Sequence, residues 1–209
     1  VTRLRQTKGL TQVERNYLKS KDQNIVHEKT EEHKKENYRY ACIGDLIHEF
    51  LESYVHSKNK NLFLRERERF IDYWKLKLEN FSETTDELNK SLCFIEETIK
   101  KTTSNEDLKW IFDNSITDSR SEFSISAIQN GQPKTYIIDR TFIDKENIRW
   151  IIDYKTGNPD NQNEPEFVER QSKIHAPQLN QYKALFNKLE SRKIKTALLF
   201  TAIPKLVEI

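Results

Sequence analysis

Ile151-Ile152-Asp153-Tyr154-Lys155-Thr156-Gly157 places an acid and a lysine two residues apart at the end of an apolar run. Side chains alternate across a strand with period two, so Asp153 and Lys155 share a face while Tyr154 points away. Charged groups are seldom fully buried unless they are paired or bind a metal. The arrangement therefore calls for a metal, a substrate or a salt bridge. Metal-dependent phosphodiester chemistry needs both residues: a carboxylate to hold a hard cation, and a cation beside it to steady the attacking water. The same acid-x-Lys spacing at Glu32-His33-Lys34 and Asp107-Leu108-Lys109 reads as a solvated face in a chain that is 33% charged. Only the copy at Asp153 follows a β-branched and aromatic run, Ile148-Arg149-Trp150-Ile151-Ile152. That run is apolar at both parities, as in a strand covered on both sides.

Working back from this strand, Ser121-Glu122-Phe123-Ser124-Ile125-Ser126-Ala127-Ile128 alternates, and Asn130-Gly131 signals a hairpin. Thr135-Tyr136-Ile137-Ile138-Asp139-Arg140-Thr141-Phe142-Ile143 reads as the return strand. A polar turn, Asp144-Lys145-Glu146-Asn147, then leads into the Asp153 strand. A hairpin closing around Glu146 sets Asp139 opposite Asp153. Two facing carboxylates repel unless a cation lies between them. Arg140 or Lys155 could equally neutralise them, and a register slip of one residue would separate them.

Residues 41–54 predict the strongest amphipathic helix, with Ile43, Leu46, Ile47, Phe50, Leu51, Tyr54 and Val55 as a broad apolar stripe. His48 lies on its flank, in line with Gly44, and is either a core histidine or a ligand. Glycine inside a helix costs about 1 kcal/mol relative to alanine, so Gly44 implies a close approach to the backbone. After the Asp153 strand, residues 158–166 predict a polar loop and residues 177–190 a helix opened by Pro177. Gln178 and Tyr182 project from one face near its amino end, as a phosphate-contacting surface or a packing feature. An apolar strand at 196–202 follows, and Pro204 interrupts before Leu206-Val207-Glu208-Ile209.

The ordered set Gly44-x-x-x-His48-Glu49, Asp139-Arg140, Ile152-Asp153-Tyr154-Lys155-Thr156-Gly157 and Gln178-Leu179-x-x-Tyr182 resembles the RecB-like nucleases of the PD-(D/E)xK superfamily. It looks most like the carboxy-terminal nuclease domain of bacterial UvrD-, AddA- and RecB-type helicase–nucleases, over about residues 40–202. The resemblance implies His48, Asp139 and Asp153 as metal ligands, with the backbone carbonyl of Tyr154 adding another. Lys155 would position or activate the attacking water, and Gln178 and Tyr182 would support the site and the DNA backbone. Glu122 stands where related domains often carry an acidic residue. One departure is Tyr136, where the family often has a small residue three positions before Asp-Arg. Another is the cysteine count of two, Cys42 and Cys93, which excludes the four-cysteine iron–sulfur cluster of some relatives.

The chain's 209 residues suit one domain, or a domain with a helical appendage. We expect a polar, partner-facing lead over residues 1–36, with a short helix at 11–19. The nuclease domain is expected over 37–209, helical across 37–115 with its sheet core at 116–209. Basic and acidic residues nearly balance, 35 against 33, so net charge does not argue for nucleic acid. No apolar stretch approaches the ~20 residues of a membrane span, and no signal peptide is present, so no membrane is expected. The cysteines fit a reducing bacterial cytoplasm. The chain begins with Val and contains no Met, as a fragment of a longer protein would. None of its four glycines opens a Gly-Lys-Ser/Thr phosphate loop. A helicase motor would therefore lie in a missing part of the same chain. Trp74 and Trp110 are candidates for core packing or for stacking on unpaired bases, and Arg65-Glu66-Arg67-Glu68-Arg69 reads as a solvated helix face.

The expected architecture is α/β and restriction-endonuclease-like. Its central mixed β-sheet combines three strands at 120–155 with one near 196–202, flanked by the His48 and Gln178 helices and carrying a helical insert. The expected reaction is hydrolysis of a DNA phosphodiester with Mg²⁺, which prefers oxygen ligands. Mn²⁺ accepts a histidine more readily, so either metal would serve. The resemblance implies an exonuclease domain acting at DNA ends in double-strand break repair and recombination, with DNA, the motor and a second helicase–nuclease subunit as expected partners. The rival expectation is a catalytically silent nuclease fold used for DNA binding or subunit docking.

Overall fold

A central strand that is apolar at both parities needs cover on two sides, and the chain supplies it. The computed structural model describes residues 31–82, 84–129, 131–159 and 163–209. The helix expected at 11–19, and most of the expected lead, lie outside the described residues. The first half is helical: α1 (Glu31–His56), α2 (Lys60–Arg65), α3 (Ile71–Glu79) and α4 (Thr85–Ser104), with 3-10 turns at Arg67–Phe70 and Glu106–Phe112. Then follow β1 (Thr117–Gln129), β2 (Gln132–Ile143), β3 (Arg149–Lys155), α5 (Glu164–Phe186), β4 (Ile194–Phe200) and β5 (Lys205–Glu208).

The five strands form one mixed sheet in chain order. β1, β2 and β3 are an antiparallel meander, β4 runs parallel to β3, and β5 returns antiparallel to β4. A parallel neighbour needs a crossover, and α5 provides it. The β2–β3 register, with Arg140 opposite Ile152 and Phe142 opposite Trp150, is the one a hairpin around Glu146 dictates. β1 and β2 close at Gly131, whose φ of +76° favours glycine.

Two hydrophobic clusters sandwich the sheet. One joins α1, α3 and α4 to Phe142, Trp150, Ile152, Tyr154, Ala197 and Leu199. The other joins α5 to Ile125, Ile138, Ile151, Leu198 and Phe200. The even-numbered residues of β3 thus face the helical half and the odd-numbered ones face α5. Both tryptophans belong to packing: Trp74 is buried, and the Trp110 ring stands 5.2 Å from Trp150 and 5.5 Å from Phe142. The 65–69 charge run is solvated as expected.

Three expectations need correction. α1 runs from Glu31 rather than from 41, and its first described turns, with residues 35–38 exposed, carry no apolar periodicity to announce them. α5 begins at Glu164 rather than at 177, with Pro165 in its first turn and Pro177 inside it. Its buried residues Phe167 and Val168 are followed by none until Leu179, so the intervening turns show no stripe. A fifth strand, β5, follows β4, which ends at Phe200, so Thr201 and Ala202 belong to the turn.

Candidate metal centre and active site

β2 changes its facing at Asp139. Tyr136 and Ile138 pack beneath α5, whereas Phe142 packs on the opposite side of the sheet. Arg140 also points to that opposite side, where its guanidinium donates to Ile111 O at 2.8 Å and Asp113 O at 2.8 Å. It donates to Ser119 Oγ at 2.8 Å as well, and is completely buried. Arg140 therefore ties the Glu106–Phe112 turn to the sheet through backbone carbonyls and a serine hydroxyl. Burial pulls its pKa downward, but a guanidinium keeps its charge.

β1 breaks at the matching position. Ser121 pairs with Arg140 and Phe123 with Ile138, so Glu122 stands opposite Asp139. Glu122 adopts φ +47°, a left-handed conformation costing a non-glycine residue about 1 kcal/mol. Phe123 and Ile138 pack on the α5 side, so alternation turns an acid from each strand, Glu122 and Asp139, toward α1. His48 Nδ1 lies 3.5 Å from Asp139 Oδ1, and ligand atoms of His48, Glu122 and Asp139 all fall within 4.8 Å of one another.

Asp139 is only 3% exposed. Its Oδ2 accepts the backbone N–H of Tyr154 at 2.7 Å, which fixes the carboxylate across the β2–β3 gap. The Tyr154 ring meets His48 edge-on at 5.4 Å and orients the imidazole. Burial pushes the Tyr154 phenol well above its ordinary range, so it stays protonated. His48 Nδ1 is enclosed and has no hydrogen-bond partner among the described residues.

Asp153 and Lys155 face the α5 side. Asp153 is 4% exposed, and Lys155 Nζ sits 2.7 Å from its Oδ2 as an ion pair without hydrogen-bond geometry. Of the two cations able to neutralise the acids, Lys155 does so here. Asp153 lies outside the three-residue group of His48, Glu122 and Asp139.

α5 supports this floor. Gln178 Nε2 donates to Tyr182 OH at 2.6 Å, and Tyr182 OH donates to Ile137 O at 3.0 Å, two residues before Asp139. Tyr182 is buried, so it braces β2 and offers no outer surface. Tyr136 is accommodated against it, ring centroids 6.0 Å apart. His175, three residues before Gln178 and hydrogen-bonded to it, escaped sequence reading because the helix was expected to start later. Burial, and then the Lys155 charge, lower its pKa to about 4.

The loop after β3 closes the pocket through two glycines. A Cβ on Gly44 would meet Thr156 Oγ1 at 3.1 Å, the close approach that an internal helix glycine implied. A Cβ on Gly157 would meet the Phe167 ring at 3.1 Å. The loop is thus wedged between α1 and α5.

One nitrogen and two carboxylates form a hard, oxygen-rich donor set that suits a divalent cation. Ligands on opposite sides of an ion at about 2.1 Å stand about 4.2 Å apart, so this group closes on a cation with small side-chain movements. Among the described residues, no helix is long and apolar enough to cross a membrane. A family model described as the PD-(D/E)XK nuclease superfamily matches residues 14–206. No curated protein matches the chain.

Proposed function

The chain belongs to the PD-(D/E)XK nuclease superfamily, and on that premise we propose that it is a DNA nuclease of the RecB-like type, acting as the exonuclease domain of a helicase–nuclease. Its mixed five-stranded sheet between helical layers is the restriction-endonuclease-like fold of that superfamily. The observation that carries the proposal is the convergence of His48, Glu122 and Asp139 within 4.8 Å, beside the buried Asp153–Lys155 pair.

His48 Nδ1, Asp139 Oδ1 and the Glu122 carboxylate would hold Mg²⁺ or Mn²⁺, with Asp153 and the Tyr154 carbonyl as further ligands. The bound cation supplies Lewis acidity toward the phosphoryl oxygen and lowers the pKa of a coordinated water. Lys155 orients the attacking water and offsets negative charge growing on the phosphate. Asp139 keeps its position because Tyr154 N–H holds one of its oxygens. Gln178, braced on Tyr182, faces the DNA backbone, and Tyr182 steadies the strand that carries Asp139. Work at DNA ends in break repair and recombination, a motor elsewhere in the same protein, a second subunit and a cytoplasmic setting complete the reading. The intact donor set and lysine favour an enzyme over a silent module.

The test is degradation of end-labelled linear DNA, single- and double-stranded, in Mg²⁺, Mn²⁺ or EDTA. Metal-dependent shortening from one end supports the proposal, and the product ladder gives the polarity. DNA left intact with either metal, though bound, would favour the silent module.

A further inference from the structure

Val168, His175 and Tyr182 follow one another on α5 at seven-residue spacing, which keeps them on one line of the helix. Val168 and Tyr182 are buried against the sheet, so His175 points inward between them. Its ring is nevertheless only half-buried. The Asp153–Lys155 pair faces the same layer, and both charges act on the imidazole. Packing alone would be served by an apolar side chain here. The histidine is instead tethered, with Gln178 accepting its ring N–H. Gln178 Nε2 donates in turn to Tyr182 OH, and Tyr182 OH to Ile137 O. This chain of bonds ends on β2, two residues before Asp139, and fixes which ring nitrogen carries the hydrogen. A neutral imidazole has one donor and one acceptor nitrogen. With the donor held by Gln178, the other nitrogen of His175 is left as an acceptor. Gln178 keeps a second amide hydrogen for the DNA backbone.

We infer that His175 is a further residue of the active site, whose second ring nitrogen accepts a hydrogen bond from the water that attacks the phosphate. The inference rests on the nuclease reading and adds a partner for the nucleophile on the α5 side. An attacking water reacts only when its lone pair is aimed at phosphorus. The Lys155 ammonium has donors alone, so it meets that water through an oxygen lone pair. Holding one of the water's hydrogens takes an acceptor, and His175 supplies it. Burial, and then the Lys155 charge, keep the ring in its neutral form. Lys155 and His175 thus grip the water from its two ends, and the bonds through Gln178 and Tyr182 hold the imidazole in register with β2.

The test compares wild-type protein, His175→Leu and His175→Gln in cleavage of end-labelled linear DNA in Mn²⁺, with DNA affinity in EDTA and melting temperatures alongside. Leucine fills the space but accepts nothing, so the rate at saturating DNA should fall by about a hundredfold while affinity holds. Glutamine restores an acceptor and should recover about tenfold of that loss. NMR of the imidazole nitrogens in metal-free protein should show a single His175 tautomer, and Gln178→Leu should release a mixture of both. An unchanged rate in folded His175→Leu, an equal loss in both His175 variants, or mixed tautomers in wild-type protein overturns the inference. A single tautomer without any cleavage by wild-type protein would sink the nuclease reading and this role with it; cleavage that His175→Leu leaves untouched would sink this role alone.

Discussion

Asp139 and Tyr154 are joined by a hydrogen bond that replaces a rung of the β2–β3 ladder: Asp139 Oδ2 accepts the Tyr154 N–H at 2.7 Å. One oxygen of the carboxylate is thereby fixed to the neighbouring strand while the other faces His48 at 3.5 Å. The backbone satisfies half of a buried acid and leaves the other half to a cation. A buried carboxylate is otherwise costly, so the bond stabilises the site before any metal arrives.

Glu122 separates stability from metal binding. Its left-handed backbone is strained, and glycine adopts that conformation freely. Glu122→Gly is expected to hold or raise stability, by up to about 1 kcal/mol, while Mn²⁺ binding weakens. Glu122→Ala keeps the strain and loses the ligand. Urea denaturation and Mn²⁺ titration calorimetry read the two effects, and undiminished Mn²⁺ affinity in both variants would remove Glu122 from the ligand set.

Gly44 and Thr156 act as a pair. Gly44→Ala gains about 1 kcal/mol of helix propensity, yet its new Cβ crowds Thr156 Oγ1 and pushes on the loop behind Lys155. Cleavage should slow in Gly44→Ala and recover in Gly44→Ala/Thr156→Ala, which should also melt above Thr156→Ala alone. Strictly additive effects on rate and stability would show that the contact does not matter.

His175 makes stability pH-dependent. Its pKa is about 4 in the folded protein against an ordinary 6.5, so between those values the unfolded chain binds a proton that the folded chain does not. Stability is fully present above pH 6.5 and declines as the pH falls toward 4. His175→Gln should flatten that part of the melting-temperature profile, and superimposable profiles would show that the histidine is not responsible.

Much of this was legible in the chain because it depends on strand parity and turn chemistry. The apolar run before Asp153 and the turn around Glu146 set the β2–β3 register, and the spacing of the α1 stripe placed His48. Glu122 was legible by alternation, since Phe123, Ile125 and Ala127 pack on the α5 side and leave it facing α1, but nothing in the sequence announced its φ of +47°. His175 was hidden because the turns of α5 between Val168 and Leu179 bury no apolar residue. They lie beside the polar floor of the site, and polar surroundings erase the periodicity that announces a helix. Arg140 shows the converse limit. Its place beside Asp139 in sequence suggested a counter-ion, but the switch of facing at Asp139 sends it to the carbonyls of Ile111 and Asp113.

The most direct test of the central claim is cleavage of end-labelled DNA in Mn²⁺ by Asp153→Ala and Lys155→Ala, with circular dichroism and melting temperature recorded on the same preparations. Both variants should fold with the wild-type spectrum and leave the DNA uncut where wild-type protein degrades it. Wild-type rates of cleavage by either folded variant would contradict the assignment of this pair as the chemical centre.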